Sequence, residues 1–249
     1  MRRLSLFFSC AIIFLSFGGA VHAKTETPGC TLETQSFSAL QKSKISDSVH
    51  TELQTRKALL RNVLECLEEE VRTDRTALER TEVKEANMQA VRTNFMASLE
   101  AAAQYYEDRK ESISNAGLRS AKDIAANARE WRTNTFAPQQ TKIRAFITWT
   151  NNEEFLTIAN RRLEELKRSV QLLRIVDHLD EIQTLLEDAD RSYRTAVDFH
   201  GKARNAFLNG LDPANSIKLS LEALAKTYHS FIELSDTINS LLPHGKEKK

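Results

Sequence analysis

Three features of the chain predict an all-α fold. Residues that interrupt helices are scarce, good helix formers are abundant, and apolar side chains return every three to four positions. Only 7 Gly and 4 Pro occur in 249 residues, most of them at candidate helix ends. With 41% hydrophobic and 28% charged residues the chain has the balance of a globular protein with a sizeable core. The expected architecture is an elongated antiparallel helical bundle with long coiled-coil-like helices and an N-terminal disulfide-closed helical hairpin. It divides into residues 1–23 (signal peptide), 24–115 (N-terminal helical hairpin and long stalk helix), 118–242 (helical bundle) and 243–249 (basic flexible tail).

Met1 to Ala23 has the three parts of a secretory signal. Arg2 and Arg3 precede an apolar run from Leu4 to Phe17, Gly18 and Gly19 break it, and Val21-His22-Ala23 sets small residues where a signal peptidase reads. Cleavage is expected between Ala23 and Lys24, giving an exported protein, periplasmic or extracellular. The alternative is an uncleaved anchor in the inner membrane, since Leu4 to Val21 is at the lower limit for a span. Neither Cys10 nor Cys30 sits in a lipid-attachment box. Removing the segment takes away two Arg and no acid, so a chain with 35 basic and 34 acidic residues stays near neutral. The basic excess of a nucleic-acid binder is missing, apart from the short tail Lys246, Lys248 and Lys249.

Cys10 leaves with the signal, so Cys30 and Cys66 remain in a compartment where disulfides persist. Their midpoint falls on Ile45-Ser46-Asp47-Ser48, a turn and N-cap cluster, so helices on either side of it would bring the two cysteines together at the open end of an αα-hairpin. Closing such a loop contributes roughly 3 to 4 kcal/mol in the chain-entropy account. Two free or intermolecular thiols are the competing arrangement.

Val49 to Ser114 contains neither Gly nor Pro, so the spacing allows one helix of roughly 65 residues, about 100 Å long. Val49, Leu53, Leu60, Val63, Leu64, Leu67 and Val71 form a good stripe. Thr73 to Ala86 is thinly apolar, and Met88, Val91, Phe95, Leu99, Ala102, Tyr105 and Tyr106 restore a face, the pattern of a stalk. Glu68-Glu69-Glu70 beside Arg72 and Arg75 reads as a solvated face with helical ion pairs. Gly117, in the left-handed conformation, is expected to end this helix.

Leu118 to about Asn134 predicts a shorter helix that stops before Pro138. Thr141 to Trp149 follows, with a kink or break expected at Thr150-Asn151-Asn152, where Asn152 can cap a fresh start. From Phe155 to Phe207 helical spacing is sustained without Pro, and a single long amphipathic helix is the plain reading. Its apolar seam changes register around Leu172 to Val176, so it is no strict heptad coiled coil. Asp212 as N-cap and Pro213 at the first helical position open a last helix to about Leu242. Ile217, Leu221, Leu224, Tyr228, Phe231, Ser235, Ile238 and Leu242 give it a 4,3 repeat, and Pro243 ends it.

The string Ala121 to Trp131-Arg132, then Pro138, then Phe155-Leu156 and Ala159-Asn160-Arg161-Arg162-Leu163-Glu164 resembles uncharacterised secreted all-helical proteins of environmental candidate-phylum bacteria. The resemblance covers the middle third of the chain and implies no activity, because that family has none assigned.

Nucleophile-elbow, dinucleotide-loop, phosphate-loop and HExxH patterns are absent from the sequence, and no ExxH pair or CxxCH occurs. His50, His178, His200, His229 and His244 lie far apart and are expected at surfaces or helix edges. No catalytic residue, metal site or cofactor is expected. The one local concentration with functional promise is aromatic: Tyr105, Tyr106, Trp131, Phe136, Phe146 and Trp149, with Arg109, Arg129, Arg132 and Arg144 near in sequence. It either packs a central helix junction or, through Tyr105, Tyr106, Trp131 and Trp149, lines a partner groove. The function expected is that of an exported noncatalytic scaffold, adaptor or spacer acting on a protein partner or on itself through helix-helix contacts. A periplasmic client-binding chaperone and a ligand-binding bundle are the alternatives.

Overall fold

The computed structural model describes residues 48–172 and 179–241, and these are helical almost throughout, with no strand among them. The order is α1 (Val49–Glu79), α2 (Ala86–Ser114), α3 (Leu118–Trp131), a π-helical segment (Arg132–Phe136), α4 (Ala137–Leu172), α5 (Leu179–Leu208) and α6 (Ala214–Leu241). The signal segment with Ala23 and Lys24, the Cys30 side of the expected hairpin and the basic tail lie outside the described residues. Cys66 is on α1, half-buried.

The expected stalk is instead a hairpin. α1 ends at Glu79 and α2 returns antiparallel to it, so that Lys110 binds Glu68 at 2.6 Å and the Lys57 ammonium reaches the Ser114 carbonyl at 3.0 Å. No Gly or Pro makes this turn. The last carbonyls of α1 are satisfied from across it: Thr81 Oγ1 donates to Leu78 O at 2.7 Å, and the Arg92 guanidinium donates to Leu78 O at 3.1 Å and Glu79 O at 2.9 Å. The thinly apolar stretch after Val71 is this turn and its approach.

α3, the π segment and α4 form one uninterrupted rod over residues 118–172, roughly 80 Å long by helical rise. Pro138 does not stop it. One turn earlier the backbone widens to the π pattern, with the Ala137 N–H bonding Arg132 O, and this spare residue accommodates a ring that lacks a donor. Asn152 neither caps nor breaks the rod: it is 1% exposed in the helix interior. Gly117 also departs from expectation. Its φ is −81°, extended backbone preceding α3, and its carbonyl accepts the Ala121 N–H at 2.8 Å.

The Phe155–Phe207 axis folds back on itself. α5 runs antiparallel to α4, with Trp149 opposite His200 and Lys167 bound to Asp190 at 2.9 Å. α6 starts as read: the Asp212 carboxylate accepts the Ala214 N–H at 3.0 Å. Before it, Gly210 at φ 70° closes α5, with the Gly210 N–H bonding Phe207 O at 3.2 Å and the Leu211 N–H bonding Ala206 O at 2.9 Å. The buried seam of α6 is rotated from the 4,3 repeat, however. Ser220, Thr227 and Leu234 are fully buried, whereas Ser235 is exposed and Leu221 and Tyr228 are only partly buried.

Two three-helix bundles result, placed end to end and sharing the rod. α1, α2 and the first half of the rod bury Leu60, Leu64, Leu67, Leu99, Tyr106, Ile143 and Phe146. α6 and α5 pack on the second half through Leu156, Ala159, Leu163, Leu224 and Phe231. Ala189, Ala196 and Ala203 recur every seventh residue on α5, each 0% exposed, and these small side chains let α6 approach closely.

Candidate functional site

α1 carries four buried charged or acidic groups, Glu52, Arg56, Glu70 and Asp74, on the face it turns to the core. Helical geometry decides their partners. Glu52 and Arg56, one turn apart, pair with each other through Arg56 Nη2 at 2.7 Å and Nε at 2.9 Å. Glu70 and Asp74, one turn apart further on, reach the rod: Arg132 Nη1 binds Glu70 at 2.9 Å, while Asp74 accepts from Gln140 at 2.7 Å and from Arg144 Nε at 2.9 Å. The expectation of a solvated Glu68-Glu69-Glu70 face is thereby corrected. Glu69 pairs with Arg72 in solvent, but Glu68 turns to α2 and Glu70 is 4% exposed. A charged residue reads as surface in sequence, and only the rod's arginine makes this burial tolerable.

Arg132 is held charged. Burial alone would lower its pKa, and the hydrogen bond and charge of Glu70 more than offset this, leaving it raised. The Tyr106 hydroxyl lies buried beside it, and burial pushes its pKa up to about 12 despite the opposing charge and hydrogen bonding of Arg132. This arrangement locks α2, α1 and the rod together; it keeps Tyr106 neutral and Glu70 paired.

The six aromatics do not form one groove. Tyr105 stacks on Trp131 with centroids 3.9 Å apart and planes at 13°, and Trp131 lies parallel to Phe136 at 5.8 Å. Tyr106 meets Trp131 edge-on at 5.5 Å, and the Arg109 guanidinium covers the outer face of Tyr105 at 4.8 Å. Tyr106 is fully buried, while Tyr105 and Trp131 keep a partly exposed edge. Phe146 and Trp149 belong to a second ring cluster with Phe95 and Phe207, which joins the tip of α5 to the first bundle. Of the four residues read as a groove, Tyr105, Tyr106 and Trp131 therefore come together and Trp149 does not join them. Both clusters fill helix junctions.

Sequence reasoning overlooked the level at which the two bundles meet. Trp149, 3% exposed, donates its indole N–H to the His200 carbonyl at 3.1 Å and stacks on the His200 ring at 4.8 Å and 12°. One turn along the rod the Asn152 amide donates to Ser220 Oγ at 2.9 Å, which in turn donates to Ala196 O at 2.8 Å. Asn152 Oδ1 and His200 Nδ1 are buried without partners. His200 is half-buried at the edge of α5, and burial pulls its pKa down to about 4 against the raising influence of Glu85. An Asn and a Ser at core positions of an apolar repeat were the available signal.

Among the described residues no group of three or more His, Cys, Asp or Glu is placed to hold a metal ion, and no helix is long and apolar enough to cross a membrane. A broad, open depression lies where Lys167, Leu186, Asp190, Arg191 and Arg194 face solvent, its charges paired as Lys167–Asp190 and Arg194–Asp190. Elsewhere Phe155 on α4 is 44% and Ile232 on α6 60% exposed, and Tyr228 of α6 donates to the Phe155 carbonyl at 3.4 Å. The fold and these sites define an all-helical bundle protein whose inter-helix contacts carry both buried ion pairs and aromatic stacks. No family model, no curated protein and no solved structure matches the chain.

Proposed function

We propose that the chain is an exported, noncatalytic helical scaffold or spacer that holds protein partners, or a second copy of itself, through helix-helix contacts. One observation carries the reading: a single helix over residues 118–172 runs through both bundle cores, so the two ends are coupled by a stiff element. Such a body transmits position rather than enclosing a substrate. The ionisable groups drawn inward, Glu70 with Arg132 and Asp74 with Arg144, are used up in joining helices. Export rests on the Met1–Ala23 signal pattern and on a Cys30–Cys66 bridge that would hold the N-terminal segment to α1.

The test is cross-linking in the native envelope from a photoreactive residue at exposed Ile232 and, separately, at exposed Val49, which lies near the far end. Discrete cross-linked species from both ends are expected. A chain recovered without partner or self-association from either position would end the scaffold reading, and suppression of aggregation of a model client would favour a chaperone instead. N-terminal sequencing of the mature chain should begin at Lys24, and reduction should slow its migration on a gel if the bridge is intramolecular.

A further inference from the structure

His200 sits where the two bundles touch, and three elements close on it. From α4 comes the Trp149 ring, stacked at 4.8 Å. From the turn between α1 and α2 comes Glu85, the carboxylate whose charge acts on the imidazole. On α5 itself Arg204 lies one turn on and is tied to that same Glu85, its Nε donating at 2.7 Å. On α2, Arg92 is committed to the Leu78 and Glu79 carbonyls. The register set by Ser220 and Ala196 brings uncharged Ser216 and Ile217 of α6 to this level. The Lys202–Asp198 pair of α5 stays in solvent.

We propose that this cluster is an acid-released clasp: protonation of His200 draws its ring off Trp149 and toward Glu85, loosening α5 from the rod. The neutral ring fits the site because its Nδ1 is buried and has no partner. In the imidazolium form both ring nitrogens are donors, and the Nδ1–H has no acceptor in that position. The Glu85 carboxylate can relieve it, and for that carboxylate the imidazolium must compete with Arg204. Reaching it costs the stack that holds α5 to the rod, whereas the turn stays tied to α5 through Arg204 or His200. The rod itself is untouched, so helicity is conserved while the contact opens.

The chain has two tryptophans, and Trp131→Phe leaves Trp149 as the sole indole reporter in the full-length protein. Its fluorescence, followed from pH 8 to 4, is expected to change reversibly with a midpoint between 4 and 6.5 while far-UV helicity stays constant. His200→Phe, which keeps a stacked ring that cannot titrate, should abolish the change. Glu85→Gln should move the midpoint to lower pH, because the carboxylate that favours the imidazolium is gone. Fluorescence that stays flat in the folded protein, a change retained in His200→Phe, or loss of helicity at the same midpoint would each overturn the clasp. An unmoved midpoint in Glu85→Gln would overturn the role given to Glu85. Should Trp131→Phe not fold, the His200 Cε1–H resonance of the unaltered chain, assigned by its absence in His200→Phe, gives the same titration.

Discussion

Asn152 and Ser220 meet at 2.9 Å between the rod and α6, and because Ser220 Oγ also donates to the Ala196 carbonyl, one hydroxyl ties three helices at a single level. Asn152 is 1% and Ser220 0% exposed, so neither group can turn to water. Ser220→Ala strands the Asn152 amide and should cost about 1–3 kcal/mol in urea unfolding. Asn152→Ala with Ser220→Ala together should cost less than the two singles added, since the second change leaves nothing new unpaired. Strict additivity would show that the two side chains are not coupled.

The end of α5 depends on a left-handed residue. Gly210 has φ 70°, with open space where a Cβ would project, so the penalty of a side chain there is conformational rather than a clash. Gly210→Ala should lose about 1–2 kcal/mol, and Gly210→Val more, because a β-branched residue tolerates this region least. Equal stability of the alanine variant would mean that the α5–α6 turn relaxes freely.

Removing one partner of the Glu70–Arg132 pair should hurt more than removing both. Arg132→Met leaves a carboxylate that is 4% exposed without its cation, an expected loss of about 3 kcal/mol or more. Glu70→Leu combined with Arg132→Met should recover much of that loss, because the rod and α1 then meet through apolar surface. Denaturant midpoints of the three variants decide it; a double variant worse than Arg132→Met would show that the charges are needed as a pair.

Stability should fall at both ends of the pH scale for identifiable reasons. His200 titrates at about 4 when folded and near 6.5 when unfolded, so the unfolded chain binds the extra proton first and stability present above 6.5 is lost as pH falls toward 4. Tyr106 is shifted the other way, to about 12 from 10, so its contribution is complete below pH 10 and is lost as pH rises toward 12. Tyr106→Phe should flatten the alkaline limb and change stability at pH 7 by no more than about 1 kcal/mol, the size of one hydrogen bond's net contribution. Thermal midpoints measured across both limbs test the two assignments separately.

Residue chemistry alone determined that this is a helical protein, because few breakers and sustained periodicity leave the backbone little else to do. It also determined the beginning of α6, since Asp212-Pro213 acts within one turn of itself. What it could not determine were features whose cause lies far along the chain. α1 ends at Glu79 because Arg92 and Thr81 satisfy its carbonyls, although the intervening sequence carries no breaker. The rod passes Pro138 because the turn before it can widen, and it passes Asn152 because Ser220, 68 residues on, receives that amide. For the same reason polar Ser220 and Thr227 lie inside and a glutamate, Glu70, is buried. Periodicity records which residues prefer to leave water, whereas burial of a polar group is settled by the partner that tertiary packing brings to it.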